Sequence, residues 1–345
     1  MTASLRPHHD RGLFRRYAGN PILSPDYFPE IVNAVFNPGA TSYEGKTLLL
    51  LRVEYRTGLS SLIPVVSEDG FIGWEMGTFA PLHPEVDGFH EHWGVEDPRI
   101  TKIGDVYYVV YVGHSAAGPI VMLATTKDFT KWERQGVLMP PADKDAALFP
   151  QTFAGRWALI HRPSAATEGV GAHVWLSFSP DLRHWGDSQV LLPARRGAWW
   201  DANKVGLGPP PLLTKDGWLI CYHGVRVTAS GSIYRLGLAL LDRDDPSKVL
   251  ARGDEWVFGP QEPYERGGDV ADVVFPCGWV LRDDDDTLAL YYGAADTVVC
   301  VAEASVAKLL DHLEMHPWRA ESVERYLSNH PGVMQPWRPQ PDGDR

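Results

Sequence analysis

The sequence predicts an all-β protein: a five-bladed β-propeller with four-stranded blades and short terminal helices. Three observations support this prediction. Two short patterns each recur five times along the chain, at intervals of roughly fifty to seventy residues. Helical periodicity is almost absent before residue 302. Many short strands at even spacing, in a repeat long enough for four of them, are typical of propeller blades.

The first pattern is a turn followed by an apolar strand that is rich in aromatic residues, which favour β-structure. Its five copies are Gly45-KTLLLLRV, Gly104-DVYYVVYVG, Gly155-RWALIHRP, Gly217-WLICYHGV and Asp286-TLALYYGAAD. Each copy therefore predicts a strand at an equivalent place in successive blades.

The second pattern is a strand that ends in a Ser/Thr-x-Asp turn followed by a tryptophan. Its clear copies are Ser67-EDGFIGW, Thr126-KDFTKW and Ser179-PDLRHW, and its weaker copies are Leu241-DRDDPSK and Ala304-SVAKLL. Proline- and glycine-rich connections separate the units, as in residues 206–211 and 272–278. A β-sandwich or two stacked barrels would also be all-β, but neither predicts such a repeat.

The chain is expected to form a single domain over residues 1–345, with blades over roughly 30–313 and a C-terminal extension over 314–345. Residues 305–313 and 320–328 are predicted to be short helices. The extension carries Trp318, Tyr326 and Trp337, which could dock on the same chain or on a neighbouring copy. A homo-oligomer is therefore an open possibility.

Composition restricts the classes of partner. The net charge is −12 and no basic stripe offsets it, so a nucleic-acid partner is not expected. The N-terminal segment MTASLRPHHDRGLF has no apolar signal region, and no stretch reaches the ~20 apolar residues that span a bilayer.

The three cysteines are odd in number and widely spaced, which is typical of buried free thiols in a reducing compartment. We expect a cytoplasmic protein with no membrane partner.

The repeat also makes a geometric prediction. Arg52, Tyr111 and Arg162 each lie seven residues after the glycine of their unit, while His223 and Tyr292 lie six residues after the start of theirs. Equivalent positions in successive blades form a ring about the propeller axis. The five side chains are therefore predicted to converge at one end of the channel, unless they close it by pairing with acidic neighbours.

The segment Trp93-GVEDPRIT places Glu96, Asp97 and Arg99 just before the strand of the second unit. Proline at position 98 biases Asp97 toward an extended conformation, which would hold an acid rigidly at the strand entrance. An isolated EDPR segment is equally compatible with a salt-bridged turn. Its position beside the predicted ring favours a functional role.

Further polar side chains interrupt apolar strands, where they are costly without a function. They are Lys144, Asp145, Lys204, Tyr234 and Asp296. A cationic site made of Arg52, Arg162, Lys204 and His223 would suit a small dianion, because guanidinium groups bind phosphate through two bonds and lysine adds a point charge. His83, His90 and His92 lack metal-ligand spacing and are expected on a surface loop, so no metal site is predicted.

These motifs together resemble glycoside hydrolase family 130, the β-mannoside phosphorylases. The resemblance covers about residues 13–313, and members of that family are five-bladed propellers. Its elements are RRYAGNPILSP, FNPGA, LLLRVE with SEDG, GVEDPRIT, DKDAALFP, HRP, KVGLGPPP with GWLICYHGV, YRLGLALLD, DVVFPCG, and YYGAAD with VAEAS. Each is weak alone, but in this order they are highly specific.

The resemblance implies roles for particular residues. Asp97 would be the single general acid. The phosphate-binding residues would be Arg52, Lys144, Arg162, Lys204, His223 and Tyr234, and the sugar-binding residues would be Asn37, Arg99, Tyr111, Phe275 and Asp296. Asp296 would contact the mannose in the −1 subsite. One departure is Asp143, where members usually carry asparagine; an inward-pointing acid there would weaken anion binding.

One carboxylic acid facing a cationic cluster predicts phosphorolysis. An inverting glycosidase needs a second carboxylate to activate water, whereas phosphate is already an anionic nucleophile. The resemblance further implies that the acid relays its proton through a mannose hydroxyl. The predicted activity is inverting phosphorolysis of manno-oligosaccharides or mannosyl-glucose to α-mannose 1-phosphate and a shortened sugar. Phosphate would be a co-substrate, with no cofactor.

Two other activities remain open. One is a β-mannoside hydrolase of the same family, although hydrolytic branches lack most of the cationic residues. The other is a sugar-binding propeller without activity. The linkage, β-1,2 or β-1,4, and the sugar in the +1 subsite are also open. Residues 54–60, 83–93 and 262–268 are candidate specificity loops, with Trp93 and Tyr264 as candidate stacking residues.

Overall fold

The computed structural model describes residues 12–85, 87–164, 171–229 and 231–317. Within them, five antiparallel sheets are arranged as the blades of a propeller. The predicted fold class and blade number are therefore confirmed. The predicted helix at 320–328 and the aromatic residues of the C-terminal extension lie outside the described residues.

Strand β1 (Phe14–Arg16) precedes the blades. Blade I contains β2 (Val32–Tyr43), β3 (Lys46–Tyr55) and β4 (Ser60–Ser67), and blade II contains β5 (Val95–Ile103), β6 (Val106–Ser115), β7 (Gly118–Thr126) and β8 (Glu133–Met139). Blade III contains β9 (Asp143–Phe153), β10 (Arg156–Pro163), β11 (Val174–Ser179) and β12 (Gly186–Leu192). Blade IV contains β13 (Lys204–Leu207), β14 (Leu212–Thr214), β15 (Gly217–Thr228), β16 (Gly231–Leu241) and β17 (Val249–Arg252). Blade V contains β18 (Val274–Leu281), β19 (Thr287–Ala294) and β20 (Val298–Ser305).

Not every blade has the predicted four strands. Blade I has three, and two isolated bridges, Leu62–Leu82 and Val66–Glu75, continue it outward. In blade IV both β13 and β14 pair with β15, because Gly208 and the prolines after it interrupt the inner strand. The first strands contact one another around the ring, β2 with β5 and β18, and β9 with β5 and β13. They line the propeller centre.

The N-terminal strand closes the ring. Strand β1 pairs antiparallel with β20, with Phe14 opposite Ala304 and Arg16 opposite Ala302, so the start of the chain completes blade V. The Arg16 guanidinium also donates to Glu265, with Nε 2.7 Å from Oε1, and this carboxylate is fully buried. A buried charge requires such a partner. The N-terminal strand therefore helps to close the ring.

Both sequence patterns correspond to repeated structure. The aromatic-rich copies are β3, β6, β10, β15 and β19, the central strand that follows the innermost strand of each blade. In the second pattern the aspartate caps a tight turn, as Asp181 Oδ1 does by accepting from the backbone N–H groups of Arg183 and His184, each at 2.9 Å. Aspartate favours such turns because its side chain can replace a backbone acceptor.

The core lies between neighbouring blades, so alternate residues of a strand face different blades. In β3, Leu48 and Leu50 pack toward blade II with Tyr111. Their neighbours Leu49 and Leu51 pack on the other side, toward blade V. A shift of one residue along a strand therefore moves a side chain to the opposite inter-blade layer.

In the described residues, two short α-helices accompany the blades, α1 (Pro263–Arg266) and α2 (Val306–Met315), together with a single 3₁₀ turn (Pro25–Tyr27). Helix α2 confirms the helix predicted at 305–313, and the Ser305 hydroxyl caps it by accepting from Lys308 N at 3.3 Å. In the described ranges, no helix is long and apolar enough to cross a membrane. All three cysteines are buried and free, as predicted.

Candidate active site

The inner strands of blades I, II and III each contain a β-bulge that faces the channel. The ladder slips between Phe36 and Gly39 and between Glu96 and Arg99, and β9 slips opposite Ile160 and Arg162. Within the bulges, Asn37, Asp97 and Asp145 have φ values of 45°, 48° and 51°. Asparagine and aspartate tolerate this left-handed conformation better than other residues with a side chain. Because bulges redirect side chains, these three converge on one polar cluster.

The conformation of Asp97 differs from the prediction. Proline after Asp97 was expected to hold it extended before the strand, but Asp97 lies inside β5 and is left-handed. The bulge and the contacts of its side chain outweigh the local bias. Its Oδ1 accepts from Asn37 Nδ2 at 2.9 Å and from Arg52 Nη1 at 3.0 Å. Among the described residues, both of these hydrogen bonds end on Oδ1.

The neighbouring Glu96 is held in its ionised form. Arg52 Nη2 donates to Oε1 at 3.0 Å, His114 Nδ1 lies 3.4 Å from the same oxygen, and Lys144 Nζ lies 3.5 Å from Oε2. Burial opposes ionisation, but Arg52, His114 and Lys144 together keep the pKa of Glu96 well below its ordinary value. An ionised Glu96 has no proton to donate, so Asp97 is the better candidate acid.

Asp145 is a buried anion shared by several cations. Its Oδ2 accepts from Arg162 Nε at 2.6 Å, and Arg99 Nη2 lies 3.5 Å from Oδ1. Burial raises the pKa of Asp145, but the charges of Arg162 and the other cations around it outweigh burial and hold this pKa well below its ordinary value. A Cβ at Gly206 would lie 2.2 Å from Asp145 Oδ2, so only glycine fits beside this carboxylate. Asp145 thus orients Arg162 within the cluster.

Arg99 ties blade II to blade IV beneath the cluster. Its Nε donates to Gly208 O at 2.7 Å, its Nη2 to Leu207 O at 2.8 Å and its Nη1 to Asp97 O at 3.2 Å. The guanidinium lies 5.9 Å from the ring centroid of Phe275, and Arg99 is 1% exposed. Arg99 and Phe275 therefore form the floor of the site.

Lys204 is the cation of the cluster that lacks an anionic partner, whereas His223 Nε2 lies 3.4 Å from Asp145 Oδ2. Lys204 Nζ donates to Tyr234 Oη at 2.9 Å, and no carboxylate of the described residues lies within ion-pair distance of it. Burial and the charges of Arg162 and Lys144 lower the pKa of Lys204 to about 8, although Asp145 opposes the shift. Burial, aided by Lys204 and Arg162, lowers the pKa of His223 to about 3. Its imidazole is therefore neutral, and within the described part of the chain neither ring nitrogen has a hydrogen-bond partner.

Asp296 approaches the cluster from blade V. It follows β19 with φ of 50°, the same left-handed conformation as the bulge residues. Burial and the nearby charge of Asp97 raise the pKa of Asp296 to about 6. A carboxyl group that is easily protonated beside the candidate acid is suited to hydrogen-bonding a sugar hydroxyl either as donor or as acceptor.

The predicted ring of five side chains is only partly correct. Arg52, Arg162 and His223 lie in the cluster, but Tyr111 and Tyr292 do not. Tyr111 is 1% exposed between blades I and II and donates to Glu91 Oε1 at 2.5 Å, so its predicted sugar contact is wrong for this structure. Tyr292 is buried between blades IV and V and donates to Glu265 Oε1 at 2.8 Å. Each tyrosine lies one residue along its strand from the position equivalent to Arg52 or Arg162. Because side chains alternate along a strand, the tyrosine side chains point to the opposite face.

Asp143, the departure from the family pattern, does not point into the cationic site. It is buried, its Oδ2 lies 2.6 Å from His161 Nδ1, and its Oδ1 accepts from Arg162 N at 3.1 Å. The negative charge is directed into blade III instead of toward the unpartnered nitrogens of the cluster. The weakening of anion binding that an inward-pointing acid would cause is not expected.

The two candidate stacking residues have different positions. Trp93 is 49% exposed, and its ring packs edge-on to His114 at 5.6 Å between centroids, beside Glu96 at the mouth of the site. Tyr264 lies on α1 and packs against the core between blades IV and V. His114 and the ionised role of Glu96 were not recognised from the sequence. The Asp97 motif pointed to their neighbourhood but not to their contacts.

Within the described ranges, no group of three or more His, Cys, Asp or Glu side chains is placed so that it could hold a metal ion. The groups available for chemistry are one candidate acid, Asp97, and a buried cationic cluster facing it. This combination can protonate a leaving oxygen and hold an anion.

Comparison with known proteins identifies the family of the chain. A sequence profile of glycoside hydrolase family 130, described as β-1,4-mannooligosaccharide phosphorylase, matches residues 5–315. The chain is 37% identical over 302 residues to a 1,2-β-oligomannan phosphorylase of Thermoanaerobacter sp. (strain X514), covering 84% of this chain and 96% of the relative. It is 31% identical over 318 residues to a β-1,4-mannooligosaccharide phosphorylase of Ruminococcus albus, covering 90% and 94%.

A solved structure, the β-1,2-mannobiose phosphorylase of Listeria innocua in complex with β-1,2-mannobiose, superposes with a TM-score of 0.79 at 32% identity. The match covers 88% of this chain and 99% of that one. The profile spans most of the chain, and both relatives exceed 30% identity over most of their length. The chain therefore belongs to glycoside hydrolase family 130, a family of β-mannoside phosphorylases.

Proposed function

We propose that this protein cleaves β-mannosides by inverting phosphorolysis and releases α-mannose 1-phosphate and a shortened sugar. Asp97 acts as the general acid, and phosphate is bound by Arg52, Lys144, Arg162, Lys204, His223 and Tyr234. The observation that carries the proposal is the half-buried Lys204, which has no carboxylate partner in the described residues and lies among other cations. Such a group is stabilised by a bound anion.

The charge balance of the cluster supports an anionic ligand. Its cations are Arg52, Arg99, Lys144, Arg162 and Lys204, and its carboxyl groups are Glu96, Asp97, Asp145 and Asp296. The five cations outnumber these four carboxyl groups by one, and Glu54, whose Oε2 lies 4.0 Å from Arg52 Nη2, offsets that charge when every carboxyl group is ionised. An excess of positive charge arises when Asp97 carries the proton that catalysis requires. Phosphate would neutralise this excess in a site where burial strengthens each electrostatic contact.

The reaction needs one new bond, one broken bond and one proton. A phosphate oxygen attacks the anomeric carbon of mannose while the bond from that carbon to the glycosidic oxygen breaks. The departing oxygen takes the proton of Asp97, either directly or through a mannose hydroxyl. Arg162 and Lys204 orient the attacking oxygen, and positioning of this kind contributes strongly to rate. No second carboxylate is needed to activate water.

Phosphate affinity is expected to fall as pH rises through about 8, the pKa of Lys204. Above this pH the lysine loses its charge, whereas phosphate remains a dianion and Tyr234, whose pKa is raised by burial, stays protonated. The KM for phosphate, measured between pH 6.5 and 9.5, should therefore rise on the alkaline side. In Lys204→Arg the rise should flatten, because arginine stays charged over this range. An unchanged profile in that variant would assign the effect to another group.

The reaction is tested by incubating the protein with β-1,2-mannobiose, β-1,4-mannobiose or mannosyl-glucose, with and without phosphate. We expect phosphate consumption to equal the yield of mannose 1-phosphate on at least one substrate. The anomeric configuration of the product, read by NMR, reports inversion or retention. Free mannose formed equally without phosphate would identify a hydrolase. Binding without turnover of any substrate would identify a sugar-binding protein.

A further inference from the structure

A network of polar side chains, buried except at its outer end, crosses blade III beside the proposed phosphate site. Asp143 Oδ2 lies 2.6 Å from His161 Nδ1, and His161 Nε2 lies 2.8 Å from Ser177 Oγ. Ser177 in turn lies 2.7 Å from Ser188 Oγ. The order Asp–His–Ser resembles that of a nucleophilic triad, but Ser177 is fully buried, so no substrate can reach it. This network of side chains therefore requires another explanation.

Its position relative to the bulge of β9 suggests one. In the β9–β10 ladder Ala147 pairs with Ile160 and Lys144 pairs with Arg162, so Asp145 and the residue after it stand opposite His161 alone. A bulge loses regular ladder hydrogen bonds at this point. Lys144, Asp145 and Arg162, which flank the bulge, all belong to the cationic cluster. Small changes in the bulge would therefore move the groups that face phosphate.

The Asp143 carboxylate spans this weak point with both of its oxygens. Oδ1 accepts from the backbone N–H of Arg162 at 3.1 Å, and Oδ2 contacts His161. His161 is held from its other side by Ser177 on β11, the neighbouring strand. Asp143 thus connects the end of β9 to the middle of the blade. Both residues are buried, where hydrogen bonds of an ionised group are strong.

We propose that Asp143 and His161 are positioning residues that fix the β9 bulge and thereby orient Arg162 and Lys144 toward phosphate. The proposal rests on the phosphorolytic function given above. The side chain of Arg162 is anchored by Asp145 and its backbone by Asp143, so the guanidinium is located by two carboxylates on the same bulged strand. Loss of the hydrogen bond between Asp143 and the Arg162 backbone would misplace the guanidinium without removing a positive charge from the phosphate site.

The test compares Asp143→Ala with Asp143→Asn by steady-state kinetics. The alanine variant is expected to raise the KM for phosphate about tenfold and the KM for the mannoside less than twofold, because misplacement of a binding group is costly even without its loss. The asparagine variant should recover most of the phosphate affinity, since its amide oxygen can still accept from Arg162 N. A purely structural role would lower stability in both variants without separating the two KM values.

Asp201→Asn is the matched control in blade IV. Asp201 is also fully buried and accepts from Arg252 Nη2 at 2.8 Å and from Tyr222 Oη at 3.2 Å, but it does not contact the cluster. Its variant should lower the Tm and leave both KM values unchanged. If Asp143→Ala does not fold, His161→Asn provides a second test, with a rise of about threefold in the phosphate KM expected from loosening one side of the anchor.

The outcomes separate this proposal from the proposed function. A wild-type rate that does not depend on phosphate would overturn the function itself. A phosphate-dependent wild type whose Asp143→Ala variant keeps its phosphate KM, or whose two KM values rise equally, would overturn only the positioning role. Thermal shift with and without phosphate provides an independent readout, because the shift produced by phosphate should shrink in Asp143→Ala and not in Asp201→Asn.

Discussion

Replacing Asp97 with asparagine is expected to lower kcat by about two to four orders of magnitude on an unactivated disaccharide, the usual contribution of a general acid. The amide can still accept from Asn37 Nδ2 and Arg52 Nη1 through its oxygen, so the fold and sugar binding should persist. Initial rates of mannose 1-phosphate formation measure the loss. The Tm and the inhibition constant of the shortened sugar verify that the site is intact.

A substrate with an activated leaving group tests the role of Asp97 as an acid more directly. Nitrophenol departs without a proton, so an aryl β-mannoside should lose much less of its rate in Asp97→Asn than the disaccharide does. Glu96→Gln is the neighbouring control: Glu96 is held ionised by Arg52, His114 and Lys144, and its replacement should cost less than that of Asp97. Near-normal turnover of the disaccharide by Asp97→Asn would remove Asp97 as the acid and leave Glu96 as the next candidate.

Removing the Lys204 side chain is expected to raise the KM for phosphate roughly ten- to a hundredfold, which corresponds to the ~1.5–3 kcal/mol of a hydrogen bond to a charged group. The KM for the mannoside should change far less. Arg162→Ala should have the same effect and also lower kcat, because its guanidinium orients the attacking oxygen and holds the charge. The measurement is a series of initial rates over phosphate concentration for the wild type and both variants.

Lys248→Ala is the matched control for charge alone. Lys248 also lies in blade IV, but its side chain is 66% exposed and pairs with Asp245 at 3.2 Å. Exposed pairs contribute little, so both KM values should stay at the wild-type level. Equal rises in the phosphate and mannoside KM values for Lys204→Ala would contradict the assignment of Lys204 to phosphate. Phosphate or sulfate in contact with Arg162 and Lys204 in a crystal grown with either ion would support it.

The blade number could be predicted from the sequence because the repeated motifs form through contacts between residues that are close in the chain. Each Gly- or Asp-initiated aromatic strand and each Asp-capped turn forms within a few residues. Asp181, for example, accepts backbone N–H groups only two and three positions ahead. Such contacts depend on neighbouring residues and not on the rest of the fold. The motifs around Asp97, Lys144, Lys204 and Asp296 likewise identified residues that the structure brings into one cluster.

The contacts inside the site could not be predicted in the same way. Tyr111 and Arg52 each lie seven residues after the glycine of their unit. Tyr111 is nevertheless buried beside Glu91, whereas Arg52 contacts Asp97. The register of each blade decides between the two positions, and a shift of one residue reverses the side chain. The left-handed Asp97 and the outward-turned Asp143 are likewise consequences of bulges, which pairing between strands creates.

By itself, the sequence determined the five repeats, the buried cysteines and the residue types of a phosphate-dependent site, because these depend on composition and spacing. Only the tertiary structure decided which polar side chains meet. In the part of the chain that the structure describes, Lys204 lacks an anionic partner and Glu96 is ionised because of the charges that strands from different blades bring together. Asp143 is directed toward His161 by strand pairing within blade III. Electrostatic interactions depend on distance and burial, and both are set by packing between residues that are remote in the chain.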